Sequence, residues 1–113
     1  MAMRLRLDKP WQELTAESAA RLPGQLGVYQ VANAGGAVLF IGHAGARSPF
    51  GLRSELQREF AERGAGWRFR VEVNQQYRTR WFELLMVHQA DHGSLPTDNA
   101  KNPPPNLGRL SPS

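Results

Sequence analysis

The alternation of apolar and polar residues along the chain predicts three strands. Residues 26–32 and 38–43 form two short apolar runs separated by the glycine-containing turn 33–36, a pattern typical of a β-hairpin. Residues 67–73, WRFRVEV, alternate strictly and predict a strand with one face toward a core. Its core-facing positions are expected to be Trp67, Phe69, Val71 and Val73. The weaker alternation near the N-terminus predicts either an edge strand or an irregular lead-in.

A helical period appears in three segments. Thr15 is placed to cap a short helix that runs to about Arg21. Residues 52–63 carry apolar side chains four positions apart, which places them on one helix face. Residues 79–92 are apolar on almost all sides near their start, so this helix is expected to be largely buried. The order helix, β, β, helix, β, helix predicts an α+β fold with a small antiparallel sheet.

The length of 113 residues is that of one domain. We divide the chain into a lead-in with a short helix (1–22), a main domain (23–102) and a proline-rich tail (103–113) that is expected to be irregular and disordered at its end. No apolar run approaches the roughly 20 residues that span a bilayer, and no hydrophobic segment follows Met1. Since cysteine is also absent, we expect a cytoplasmic protein that has no membrane partner, disulfide or thiolate metal site.

The net charge of +4 and the pI near 10.3 come almost entirely from arginine. Only Lys9 and Lys101 are lysines, whereas arginines crowd the middle of the chain. Arginine's planar fork suits phosphate contacts, which favours a nucleic-acid partner. The alternative is that these arginines pair with nearby glutamates on solvated faces.

Two residues stand out as candidates for chemistry. Glu83 is the only acid in the apolar stretch 81–87, so its carboxylate must be desolvated, paired or bound to a cation. Either it pairs with Arg80, three residues earlier, or it is a single-carboxylate ligand of the kind that suits Mg²⁺. His43 comes directly after the second predicted strand, where a side chain could enter a cleft or serve only a structural role.

These pieces together resemble the GIY-YIG nuclease superfamily. Gly27-Val28-Tyr29 resembles the GIY element and Phe40-Ile41-Gly42 the YIG element, with ten residues between the two aromatics. The segment GLRSELQREF resembles the family's arginine-bearing helix, and Pro96-Thr97-Asp98-Asn99 resembles its terminal P..N segment, for which Asn102 is the other match. The resemblance extends from about residue 22 to residue 102, so the segment 23–102 would be the GIY-YIG-like domain.

The resemblance implies a small three-stranded antiparallel sheet flanked by helices, and metal-dependent cleavage of a DNA phosphodiester. Tyr29 would contact or help deprotonate the attacking water, and Glu83 would hold one Mg²⁺ (or Mn²⁺) against the scissile phosphate. An arginine of the first long helix would neutralise the developing charge, and Asn99 would help to fix the cleft. The nucleic-acid contacts would come from Arg47, Arg53, Arg58 and Asn99.

The chain also departs from the family's pattern at three positions. Phe40 lacks the hydroxyl of the second tyrosine, and His43 stands where some members carry a lysine. Glu55 stands where the usual catalytic arginine is expected, and Arg53 is the nearer substitute, ahead of Arg58.

Three hypotheses follow from this comparison. The first is a Mg²⁺-dependent endonuclease with Tyr29, His43, Arg53 and Glu83 as its catalytic residues. The second is a catalytically impaired domain of the same fold that binds nucleic acid. The third, which we favour less, is a protein-interaction adaptor. Convergence of the four residues on one cleft would favour the endonuclease, whereas Glu55 in the cleft with Arg53 pointing to solvent would favour binding or an adaptor role.

Overall fold

The computed structural model describes residues 5–102. Its elements, in chain order, are β1 (Gln12–Glu13), α1 (Ala16–Ala20), β2 (Gly27–Ala32), β3 (Val38–Ala44), α2 (Gly51–Arg63), β4 (Arg68–Val73), α3 (Tyr77–His92) and α4 (Thr97–Ala100). The predicted tail, 103–113, lies outside the described residues. The α+β class with an antiparallel sheet is confirmed.

The sheet has four strands in the order β1-β4-β2-β3, not the three that we predicted. All neighbouring strands are antiparallel, and β2 is the centre, paired with β3 on one edge and β4 on the other. The additional strand is β1, which pairs with the start of β4 over only two residues. Two residues are too short for an alternating pattern to be recognised in the sequence.

Local chemistry explains the ends of several elements. The Thr15 side chain caps α1 by accepting a hydrogen bond from the Ser18 backbone N–H at 3.0 Å, and the Ser18 hydroxyl accepts one from the Thr15 backbone N–H at 2.9 Å. The β2–β3 turn is held by the Asn33 side chain, whose oxygen accepts from the backbone N–H groups of Gly35 and Ala37. These contacts fix the hairpin on which the candidate site is built.

Each face of the sheet is covered by a separate apolar cluster. On one face, α1 and α2 pack against β2 and β4 through a buried group that includes Tyr29, Leu52, Leu56 and Phe69. On the other face, α3 packs through Leu84 and Leu85 against residues that include Val28 and Ile41. Neighbouring residues of β2 therefore point to opposite clusters, as the pleat requires.

Two expectations about burial were wrong. Val73, the last residue of β4, is 45% exposed. Helix α3 is not buried all round: only Arg80, Leu84 and Leu85 are buried, and Met86 is 43% exposed. The helix lies on one face of the sheet only, so its outer side meets solvent. Among residues 5–102, no helix is both long and apolar enough to cross a membrane.

Candidate functional site

The glycine of the FIG element makes room for the tyrosine of the GVY element. Tyr29 and Gly42 are opposite each other in the β2–β3 register. A β-carbon on Gly42 would lie 2.4 Å from the Tyr29 ring, so only glycine permits the ring to cross the strand here. The Phe40 ring lies 6.0 Å from that of Tyr29, and the register places both aromatics on the same face of the hairpin.

A cleft of about 680 Å³ opens beside Tyr29 and Gly42 of the hairpin. Its walls come from β2, β3, the loop 45–48, one turn of α2 and the start of α3. The residues in it that carry polar or aromatic chemistry are Tyr29, Phe40, His43, Arg47, Ser48, Glu55, Arg58, Tyr77, Arg78 and Trp81. Two of the four expected catalytic residues, Tyr29 and His43, are therefore brought together.

The Tyr29 hydroxyl is engaged in a buried polar chain. It donates to a Glu59 carboxylate oxygen at 2.8 Å, and the other oxygen of Glu59 accepts from Arg63 at 2.7 Å. Arg63 also pairs with Asp98 at 2.9 Å. Burial and then the Glu59 carboxylate raise the pKa of the Tyr29 phenol well above its ordinary value. The phenol therefore stays protonated at neutral pH and is unsuited to deprotonate a water.

His43 lies in a cluster of aromatic rings on the other face of the hairpin. Its ring is stacked with Tyr77 at 5.4 Å between centroids and meets Trp81 edge-on at 4.6 Å. Burial, and then the positive charge of Arg78, lower the pKa of the His43 imidazole. The imidazole is therefore neutral at pH 7. Its Nδ1 atom is buried and has no hydrogen-bond partner among the described residues.

Three arginines from three elements line the cleft. Arg47 comes from the loop after β3, Arg58 from α2 and Arg78 from the first turn of α3, and all three are exposed. Arg78 was not among the expected nucleic-acid contacts. The acid in the cleft is Glu55, which accepts a hydrogen bond from the Ser48 hydroxyl at 2.7 Å and pairs with Arg58.

Arg53 does not reach the cleft. Its Nε donates to the Leu22 backbone carbonyl at 2.9 Å, and its guanidinium lies 5.8 Å from the centre of the Phe50 ring. The expected catalytic and nucleic-acid-binding role of Arg53 therefore finds no support in its position, because the rotation of α2 turns this residue toward the chain that follows α1. Glu55 lines the cleft instead, while Arg53 is half-buried against the Leu22 carbonyl and does not point to solvent.

Glu83 lies in a different depression, which is lined by residues 74–76 and by Thr79 and Arg80. Its carboxylate pairs with Arg80, which also binds Glu72 at 2.8 Å. The ion-pair alternative for Glu83 is thus the one that the structure supports. A carboxylate that is held by an arginine away from the cleft does not fit the Mg²⁺ or Mn²⁺ site implied by the resemblance, and the residues of α3 that line the cleft are Tyr77, Arg78 and Trp81.

Asn99 is buried, and it fixes the edge strand instead of facing a ligand. Its side-chain oxygen accepts from the Ile41 backbone N–H at 2.7 Å, and its amide nitrogen donates to the Ile41 carbonyl at 2.9 Å. The indole N–H of Trp81 donates to the same carbonyl at 2.8 Å. Since both ends of the amide are used on the backbone, Asn99 positions β3, and the expected contact between Asn99 and nucleic acid is not supported.

Residues 3–91 match a protein-family model described as Domain of unknown function (DUF7508). This match covers most of the chain, so the protein belongs to that family. No curated protein and no solved structure matches the chain.

The sequence contained signals for some of the residues that we missed. Leu52, Leu56, Glu59 and Arg63 follow at spacings of four, three and four, which continues the buried face of α2 past the apolar residues. Tyr77, Trp81 and Leu84 have the same spacing on α3 and identify the face toward the sheet. Glu83 lies off that line, which was the available indication that it would not face the cleft.

Proposed function

We propose that this domain is a GIY-YIG-like module that binds nucleic acid in the cleft beside the β2–β3 hairpin. The observation that carries the proposal is the set of three exposed arginines, Arg47, Arg58 and Arg78, supplied by three different elements around one concave surface. Three arginines against the single glutamate among the described lining residues leave the cleft a formal charge of +2. Arginines grouped on one face are typical of proteins that contact phosphates.

Several features of the hairpin support the GIY-YIG-like part of the proposal. The GVY and FIG elements are neighbouring strands, and Tyr29 lies directly across from Gly42. Helix α2 follows the second strand and lends two side chains to the cleft, as the family's arginine-bearing helix would. The third predicted strand, β4, pairs with the other edge of β2.

Binding is favoured over hydrolysis because the expected catalytic residues are split among three places. Tyr29 and His43 line the cleft, Arg53 binds the Leu22 carbonyl, and Glu83 pairs with Arg80 in another depression. Electrostatic catalysis needs charged groups that are preorganised around one reacting centre. The described arrangement supplies charge for phosphate binding without such a centre.

The test of binding is fluorescence anisotropy with labelled 20-nucleotide DNA, single-stranded and duplex, over a range of salt concentrations. We expect Arg47→Ala and Arg78→Ala each to weaken binding about fivefold, and to lower the slope of log K against log salt by about 0.7 to 0.9 for each phosphate that is no longer neutralised. The matched control is Arg21→Ala, an exposed arginine outside the cleft, which should change neither quantity. Equal weakening by all three substitutions would contradict a cleft-centred site.

The endonuclease remains the alternative, and the observation that favours it is the shared cleft of Tyr29 and His43. Plasmid nicking with Mg²⁺ or Mn²⁺, for the native protein and Glu83→Ala, decides between the two. We expect no nicking by either protein. Metal-dependent nicking that disappears in Glu83→Ala would restore the endonuclease hypothesis.

A further inference from the structure

The aromatic wall of the cleft indicates a ligand class more specific than nucleic acid in general. We infer that the cleft takes unpaired bases of a single-stranded segment and not the backbone of a duplex, an inference that rests on the proposed nucleic-acid binding. The rings on the wall are Phe40, His43, Tyr77 and Trp81, and all four are half-buried.

Three of these rings, His43, Tyr77 and Trp81, are in contact with one another, whereas Phe40 lies beside Tyr29. His43 lies between Tyr77, at 5.4 Å, and Trp81, at 4.6 Å, and Trp81 is also 5.3 Å from Phe82. Rings packed in this way are held in place by each other and by the hydrogen bond from the Trp81 indole to the Ile41 carbonyl. A preformed aromatic surface with arginines around it is the arrangement on which bases stack in single-strand-binding proteins.

A duplex could not use this surface. In a double helix the faces of the bases are already stacked on one another, so aromatic side chains beside it can touch only the grooves and the backbone. An unpaired base offers both of its faces. The cleft volume of about 680 Å³ lies within the range of roughly 300–1,000 Å³ that holds small organic ligands, the scale of a nucleotide.

Tyr77 is the residue with which to separate stacking from charge. The Tyr77 ring packs against Gly45, where a β-carbon would lie 2.8 Å from the ring. Its position therefore depends on close packing and not on an ion pair. Tyr77→Ala removes the ring but keeps the three arginines. Tyr77→Phe keeps the ring and removes only the hydroxyl, and is therefore the matched control.

The experiment compares four probes on the native protein by competition anisotropy. They are a 12-nucleotide thymidine strand, a 12-base-pair duplex, an abasic strand of the same length and charge, and a thymidine mononucleotide. We expect the base-bearing strand to bind at least about tenfold more tightly than the duplex and the abasic strand. Tyr77→Ala should remove most of that preference, and Tyr77→Phe, which keeps the ring, should retain it.

The outcomes separate this inference from the proposed function. Equal binding of the strand and the duplex, or of the strand and the abasic strand, would overturn the assignment to unpaired bases and leave nucleic-acid binding standing. A mononucleotide that binds as tightly as the strand would overturn the strand as the ligand. Absence of binding by all four probes would overturn both proposals. The comparison among probes uses the native chain, so it holds even if Tyr77→Ala fails to fold.

Discussion

The Tyr29 hydroxyl shows how burial changes the role of a residue that a motif suggests is reactive. Its ring is 1% exposed, and its oxygen donates to Glu59 at 2.8 Å on the inner side of the cleft. Glu59 is itself buried and is balanced by Arg63. A buried carboxylate needs both partners, since a charge left with too few hydrogen bonds in the interior is costly. Tyr29 therefore contributes to the stability of the cleft wall.

This role predicts the cost of removing one oxygen atom. Tyr29→Phe should lower the free energy of unfolding by about 1.5–3 kcal/mol, because the Glu59 carboxylate loses a hydrogen bond that it cannot replace with water. Urea denaturation at pH 7 measures the decrease. Tyr77→Phe is the matched control: Tyr77 is half-buried at the cleft wall, and the substitution should cost less than about 0.5 kcal/mol. Equal decreases for the two variants would contradict the role of the Tyr29–Glu59 contact.

At the scale of elements, the rotation of α2 decides which side chains enter the cleft. Gly51, the first residue of α2, has a φ of +55° and lies so close to Gln25 that a β-carbon would be 2.3 Å from the Gln25 carbonyl oxygen. The Leu52 N–H donates to that oxygen at 2.9 Å. This docking fixes the start of α2, so Glu55 and Arg58 face the cleft and Arg53 faces away.

Because the Tyr29 ring crosses β3 at Gly42, we expect a substitution of Gly42 to lower the stability strongly. Gly42→Ala places a methyl group 2.4 Å from the Tyr29 ring, and should destabilise the protein by about 3 kcal/mol through overpacking. The matched control is Gly35→Ala in the hairpin turn, where the nearest atom, the Asn33 side-chain oxygen, is 3.4 Å away. Thermal unfolding compares the two. A change in Gly35→Ala as large as that in Gly42→Ala would show that the hairpin tolerates no added β-carbon anywhere.

The spacing of apolar residues predicted the helices and strands better than it predicted which of them contact one another. The spacing of Leu52 and Leu56 predicted α2 and its buried face, and the α+β class followed from the order of elements. The directions in which the Arg53 and Glu83 side chains point could not be predicted from this spacing. They depend on contacts between elements, such as that of Gly51 with Gln25. The two-residue strand β1 was missed because its pairing with β4, and not its own pattern, defines it.

The whole molecule keeps much of its positive charge paired, including that of Arg58 in the cleft, which pairs with Glu55 and Glu62. Arg63 and Arg80 are each held by two carboxylates, so the alternative of pairing with acidic residues applies to part of the arginine set. Arg63 joins α2 to α4 through Asp98, and Arg80 joins α3 to β4 through Glu72. The helices on both faces of the sheet are thus tied by ion pairs as well as by the two apolar clusters.

These groups predict how stability varies with pH. Burial lowers the pKa of His43 and His88 below the ordinary 6.5. The folded state then binds fewer protons than the unfolded chain, so stability falls as the pH drops from 6.5 through the folded values. Burial opposes the shift at Glu72, yet the hydrogen bonds from Arg80 and Asn74 lower its pKa below 4.5. Its contribution is present above pH 4.5 and is lost as the pH falls through the folded value.

We therefore expect the free energy of unfolding to decrease in two stages on acidification, the first below pH 6.5 and the second below pH 4.5. Urea denaturation at a series of pH values measures both stages. His43→Gln should reduce the first stage only. The substitution removes one of the two histidines whose pKa is lowered by burial, and it leaves Glu72 paired with Arg80. A first stage of unchanged size in that variant would contradict the assignment to His43.

The amide of Asn99 has a consequence for how molecules of this protein meet one another. Strand β3 is an edge of the sheet, and Asn99 occupies both the N–H and the carbonyl of Ile41, near the middle of that edge. An open edge would offer these groups to a strand of another copy and extend the sheet from one molecule to the next. The side chain acts here as a one-residue substitute for a neighbouring strand. Asn99 thereby protects the protein against edge-to-edge aggregation at the strand that carries the FIG element.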